Sequence, residues 1–63
     1  MTNNIKEARE ALGLTQDELS KKSSVARTII AQLESGTRSN VTAETMRKLA
    51  SALECPADKL FLL

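Results

Sequence analysis

Four side chains between residues 26 and 34 differ in kind from their neighbours: Arg27, Thr28, Ala31 and Gln32. Sorted at the helical period of about 100° per residue, they share one arc. Ile30 and Leu33 fall on the opposite arc, flanked by Ala26, Ile29 and Glu34. The polar arc carries one cation, one carboxamide able to make two hydrogen bonds, and two residues small enough to permit close approach. Such a surface suits entry into a groove. Ile29 lies on the border of the two arcs and is read as core edge rather than as part of the polar face.

A helix can present that arc only if its other side is anchored. Thr15–Gly36 reads as two short helices joined by a tight turn. Thr15-Gln16-Asp17-Glu18 forms a T-x-x-E capping box, in which Thr15 caps the helix and Glu18 reaches back to the Thr15 N–H. This helix spans about residues 16–23, with Leu19 as its anchor. Ser23-Ser24-Val25 forms the turn, and Gly36 suits a left-handed stop for the next helix. Upstream, residues 4–12 predict a first helix with Asn3 or Asn4 as N-cap and Gly13 as stop. Its apolar stripe is Ile5, Ala8 and Leu12, and Arg9 lies within it. Two readings of Arg9 stand together: a stem on the core with its head in water, or a partly buried cation with a carboxylate partner.

Downstream, Thr37–Val41 reads as a polar loop containing Arg38. Thr42 caps a fourth helix, with Glu44 near its positive end and Met46, Leu49, Ala50 and Leu53 on its apolar face. Pro56 suits the first position of a short last helix. Leu60 is assigned to the core, and Phe61, Leu62 and Leu63 are the candidates for a subunit seam. No stretch alternates with period two. The expected fold is therefore all-α, a compact five-helix domain spanning 1–63 with its helix-turn-helix core at 15–36.

Composition narrows the function. A chain of 63 residues hides only about 60% of its unfolded surface. The single cysteine, Cys55, has no partner for an internal disulfide, and the chain contains no histidine. No zinc staple is expected, Cys55 reads as a small apolar filler, and a reducing, cytoplasmic setting fits. No apolar run approaches the roughly 20 residues of a membrane span, and the polar opening Met1-Thr2-Asn3-Asn4 carries no signal-peptide pattern. Nine Lys and Arg against eight Asp and Glu give a net charge of +1, too balanced for a non-specific nucleic-acid coat. Phe61 is the only aromatic residue, which argues against stacking on single strands. No residues suggest an acid–base pair or a phosphate loop, so no enzyme, metal or cofactor is expected.

Leu14, Thr15, Gln16, Glu18, Leu19, Ser20, Lys22, Ser23, Val25, Arg27, Ile30, Leu33, Glu34 and Gly36 resemble the lambda-repressor-like helix-turn-helix pattern of the Cro/cI or XRE type. The resemblance extends more loosely over residues 4–62. It implies a regulator that places its third helix in the major groove of double-stranded DNA. Arg27, Thr28 and Gln32 would read bases: arginine matches guanine O6 and N7, and glutamine matches adenine N6 and N7, each through paired hydrogen bonds. Gln16 would meet the backbone at a helix N-terminus, and Arg38, Ser39 and Asn40 would touch phosphates. For Arg38 a plain loop cation remains the other reading. The resemblance also implies an ion pair between Arg9 and Glu34.

Three departures from the pattern stand out. Ser24 occupies a turn position where glycine is common, Ala26 replaces the usual Ser or Thr cap, and Ala31 offers no polar contact. The expected role is a repressor from a phage or other bacterial mobile element, bound as a homodimer to a palindromic operator, with no small-molecule ligand. The competing role is a protein-interaction module on the same fold, binding a toxin or a regulatory partner.

Overall fold

Two of the helices begin at threonines, Thr15 and Thr42, that cap them through their side chains. The computed structural model describes the backbone of residues 2–38 and 40–62, and the side chains of 3–38 and 40–61. Ser39 and Leu63, both named above, lie outside the described residues, as does the side chain of Leu62. Five helices form: α1 Ile5–Ala11, α2 Gln16–Ser23, α3 Arg27–Ser35, α4 Ala43–Leu53 and α5 Ala57–Leu60. The fold is all-α, with one addition. Thr2–Asn3 (β1) pairs antiparallel with Phe61–Leu62 (β2), in the register Thr2 to Leu62 and Asn3 to Phe61. Strands of two residues are too short to show any alternation.

Both asparagines near the chain start serve this closure. Asn4 is the N-cap of α1 without a side-chain cap bond; one residue earlier, Asn3 Oδ1 accepts from the Ile5 N–H at 3.2 Å and Asn3 Nδ2 donates to Leu33 O at 2.9 Å. Asn4 donates to Lys59 O through its side chain and to Leu60 O through its main chain. The start of α1 is thus fastened to the end of α3 and to α5.

Helix α1 ends one residue earlier than expected. Leu12 sits at its C-cap and Gly13 turns the chain at φ 70°. Leu12 is therefore 40% exposed rather than part of the buried stripe. The change of direction puts Leu14 against the core instead. Helix α2 carries the complete capping box: Thr15 Oγ1 accepts from the Glu18 N–H at 3.1 Å, and Glu18 Oε1 from the Thr15 N–H at 2.8 Å. It ends at Ser24, whose φ of 63° is left-handed, a conformation that costs a non-glycine residue roughly 1–2 kcal/mol.

The turn is secured by side chains. Ser20 Oγ donates to Val25 O at 2.7 Å, and Ser23 Oγ accepts from the Val25 N–H at 3.2 Å. Ala26 begins α3 without a side-chain cap, and Gly36 ends it at φ 81°. Helix α4 is capped by Thr42 and ends at a second left-handed residue, Glu54, with φ 54°. Pro56 is the N-cap of α5 rather than its first helical residue.

The core joins all five helices. Ile5, Leu19, Ile30, Leu49 and Leu60 have no exposure, and Leu33 has 1%. Each such side chain contributes roughly 1.5–3 kcal/mol by leaving water. On α4 the buried residues are Leu49, Ala52 and Leu53, while Met46 and Ala50 pack at the edge. Phe61 is the principal correction: it is 1% exposed, inside the core. Its main chain is held by β1, which turns the ring inward to close the end of the core, so it is no seam residue. With α3 fixed by Ile30 and Leu33, its opposite arc faces out.

Candidate nucleic-acid interface

The outward arc of α3 lies over an open depression lined by Gln16, Arg27, Thr28, Ala31, Gln32 and Ser35. The structure therefore brings together all three side chains expected to read bases and the one expected at the start of α2. A second shallow depression, lined by Gln32, Thr37, Arg38 and Asn40, adjoins it. Gln32 is common to both. Arg27, Thr28, Arg38 and Asn40 are exposed, and Ile29 is half-buried against the core.

None of the long side chains on this surface hangs free. Arg27 Nε lies 3.3 Å from Asp17 Oδ1, a pair between α3 and α2 in which both side chains are more than half exposed. Gln32 Oε1 accepts from Arg38 Nε at 2.8 Å. Gln16 Nε2 donates to Glu34 Oε1 at 3.2 Å, which leaves its second amide proton and its carbonyl oxygen unused by that bond. The arc still offers donors outward: the Nη groups of Arg27, the Thr28 hydroxyl and the Gln32 amide nitrogen.

Beneath the arc, Glu34 anchors α3 to α1. Arg9 Nε donates to Glu34 Oε2 at 2.8 Å, and Arg9 Nη2 to Glu34 Oε1 at 3.1 Å. A third arginine nitrogen, Nη1, donates to Leu14 O at 2.8 Å. The two side chains are only 12% and 6% exposed. Hydrogen bonding to Glu34 holds Arg9 more firmly in its charged form; burial opposes this, and the charges of Glu34 and Glu10 add to it. Among the described residues, no buried side-chain nitrogen or oxygen lacks a hydrogen-bond partner.

Sequence reasoning missed one member of this surface, Asp17, and one pairing within it, Gln32 with Arg38. Asp17 reads as a helix-start acid, favourable to the dipole, and nothing in its position along the chain signals that it meets Arg27. The sequence presents Arg38 as a phosphate contact or a loop cation and does not signal its bond to Gln32. Each pairing arises where separate elements meet.

The helix-turn-helix family model matches residues 5–60 of this chain. The chain belongs to that family. It is a helix-turn-helix protein of the Cro/cI (XRE) type, with α2 and α3 as its two helices, and the family makes it a DNA-binding transcription regulator. The fold is also similar to the crystal structure of the restriction-modification controller protein C.AhdI from Aeromonas hydrophila. That similarity has a TM-score of 0.83 and 36% identity, and it covers 92% of this chain and 86% of that one. A comparison with curated proteins returns no match. Among the described residues of this helix-turn-helix chain, no helix is long and apolar enough to cross a membrane, and no group of three or more His, Cys, Asp or Glu could hold a metal ion.

Proposed function

We propose that the chain is a sequence-specific repressor that inserts α3 into the major groove of operator DNA as one half of a homodimer. The observation that carries this reading is the outward arc of α3, whose two long polar side chains, Arg27 and Gln32, are each held by a residue outside α3. Preorganised donors lose less freedom on binding, so more of their interaction appears as affinity. Arg27, Thr28 and Gln32 contact base edges; Gln16, at the start of α2, and Arg38, Ser39 and Asn40 contact the phosphate backbone. Likeness to a restriction-modification controller protein supports a regulatory role.

Three readout side chains select only a few base pairs, which favours two copies on a two-fold site. The half-sites would then lie about 34 Å apart, one turn of duplex. Phe61 is committed to the core, so the seam between copies uses other residues.

Selection from random duplex DNA tests the reading. The expected product is a two-fold symmetric site that binds less tightly as salt rises, because phosphate contacts release counterions. Arg27→Ala should relax one base position in each half-site by about 1–3 kcal/mol. A reporter whose promoter carries the selected site should be silenced by the chain. Failure to enrich any sequence would overturn the reading and favour a protein-binding module, and activation of the reporter would overturn the repressor assignment.

A further inference from the structure

We infer that Arg38 is a positioning residue that fixes the carboxamide of Gln32 so that the base facing it is selected as guanine rather than adenine. The inference deepens the DNA-reading proposal above and rests on it.

A glutamine that reads adenine uses both ends of its amide: the oxygen accepts from N6–H and the nitrogen donates to N7. Here the oxygen is already engaged. Arg38 Nε donates to Gln32 Oε1 at 2.8 Å. Because Nε of a guanidinium can only donate, the amide cannot turn over without setting its own N–H groups against a cation. The orientation is therefore held, with the oxygen toward the loop and the nitrogen left for the groove. An amide that offers only donors meets O6 and N7 of guanine, both acceptors, and finds a competing donor in adenine N6.

The loop is built to keep Arg38 there. Its main-chain N–H donates to Gln32 O at 3.1 Å, so Arg38 grips the same residue through backbone and side chain. Ser35 Oγ also donates to Gln32 O at 3.2 Å and lies 2.8 Å from Thr37 Oγ1, which ties the segment between them to the end of α3. Gln32 is half-buried, unlike the exposed Arg27 and Thr28, which limits the room for another rotamer. The Nη groups of Arg38 remain available for phosphate while its Nε is occupied, so positioning and backbone contact are compatible.

The test is selection from random duplex with the full chain, Gln32→Ala, Arg38→Lys and Arg38→Ala. The position that loses its preference in Gln32→Ala is the one facing Gln32. The wild type should recover guanine over adenine there by about fivefold or more, within the range for a good paired base contact. Arg38→Lys keeps a cation in the loop but lacks a fixed Nε donor, so the guanine-to-adenine ratio should fall toward parity in both Arg38 variants. The readout is a base ratio, which a general loss of affinity does not move. A ratio unchanged in Arg38→Lys and Arg38→Ala, or wild-type selection of adenine, would overturn the positioning role alone. A wild-type selection with no enriched sequence would overturn both this inference and the DNA reading.

Discussion

Replacing Glu34 by alanine removes the acceptor on which three donors converge. Arg9 Nε, Arg9 Nη2 and Gln16 Nε2 lie 2.8, 3.1 and 3.2 Å from its oxygens. The guanidinium left behind would keep Leu14 O as its fixed acceptor in a site where the arginine side chain is 12% exposed. Breaking a buried pair from one side typically costs about 3–5 kcal/mol, because a charge remains without its counterpart. At roughly 0.05–0.15 kcal/mol per residue, a chain of 63 residues has a total stability of about 3–9 kcal/mol. Glu34→Ala should therefore remove a third of the stability or more. In a domain of this size 1 kcal/mol moves Tm by about 4–8 °C, so even the lower figure of about 3 kcal/mol lowers it by about 12–24 °C. Thermal and urea melts followed by circular dichroism read this directly. Glu10→Ala provides the control. Glu10 is exposed and meets Arg9 only through its charge, so its loss should stay within about 0.5 kcal/mol. Removing both partners as Arg9→Met with Glu34→Leu should be milder than Glu34→Ala, since no orphaned charge remains. Equal melting temperatures for Glu34→Ala and Glu10→Ala would refute the reasoning. The pH dependence has a fixed sign. A cation whose pKa is raised by folding contributes stability that is present below its unfolded value and lost only as pH climbs through the folded one. For Arg9 that loss lies in strongly alkaline solution, so its contribution should be flat through neutral pH.

Ser24→Gly should stabilise the chain by roughly 0.5–1 kcal/mol, the relief of left-handed strain at φ 63° less the added freedom of an unfolded glycine; a lower urea midpoint would contradict it. Asp17→Asn frees Arg27 from its partner and removes a negative charge from the DNA-facing surface, so affinity for random duplex should rise several-fold and discrimination should fall. Salt titrations on specific and random duplexes measure both, and unchanged random binding would count against the assigned face. Phe61→Ala should lower stability by about 3–5 kcal/mol, as for a ring deleted from a core, and should do so in chain that sediments as monomer. A variant that keeps its melting temperature but fails to self-associate would instead restore Phe61 to a seam.

Features that depend on neighbours along the chain were legible. The Thr15–Glu18 box, the Thr42 cap and the Gly36 stop each involve residues within one turn of the helix they bound, so spacing reveals them. The alternation of Leu19, Ile30 and Leu33 with polar positions likewise follows from helical period. Leu12 misled because helical spacing was extended past the point where Gly13 redirects the chain. Phe61 misled because a terminal apolar run reads the same whether it covers another subunit or folds back. What decides it is the backbone pairing with Asn3, at the far end of the chain. The pairs Asp17–Arg27 and Gln32–Arg38 were illegible for a related reason: their geometry exists only after separate elements have docked. The Arg9–Glu34 pair is just as remote in sequence; the stripes left Arg9 with two readings, and it is the resemblance to the helix-turn-helix family that implied its partner.

The pairing of Thr2–Asn3 with Phe61–Leu62 makes the chain nearly a ring. Its first and last described segments are hydrogen-bonded neighbours, so a covalent link between these two segments would be short. Such closure would remove conformations chiefly from the unfolded chain, the state in which the ends are far apart. New ends could then be opened in the exposed turn at Gly13, leaving α2, α3 and the depression between them on one uninterrupted segment.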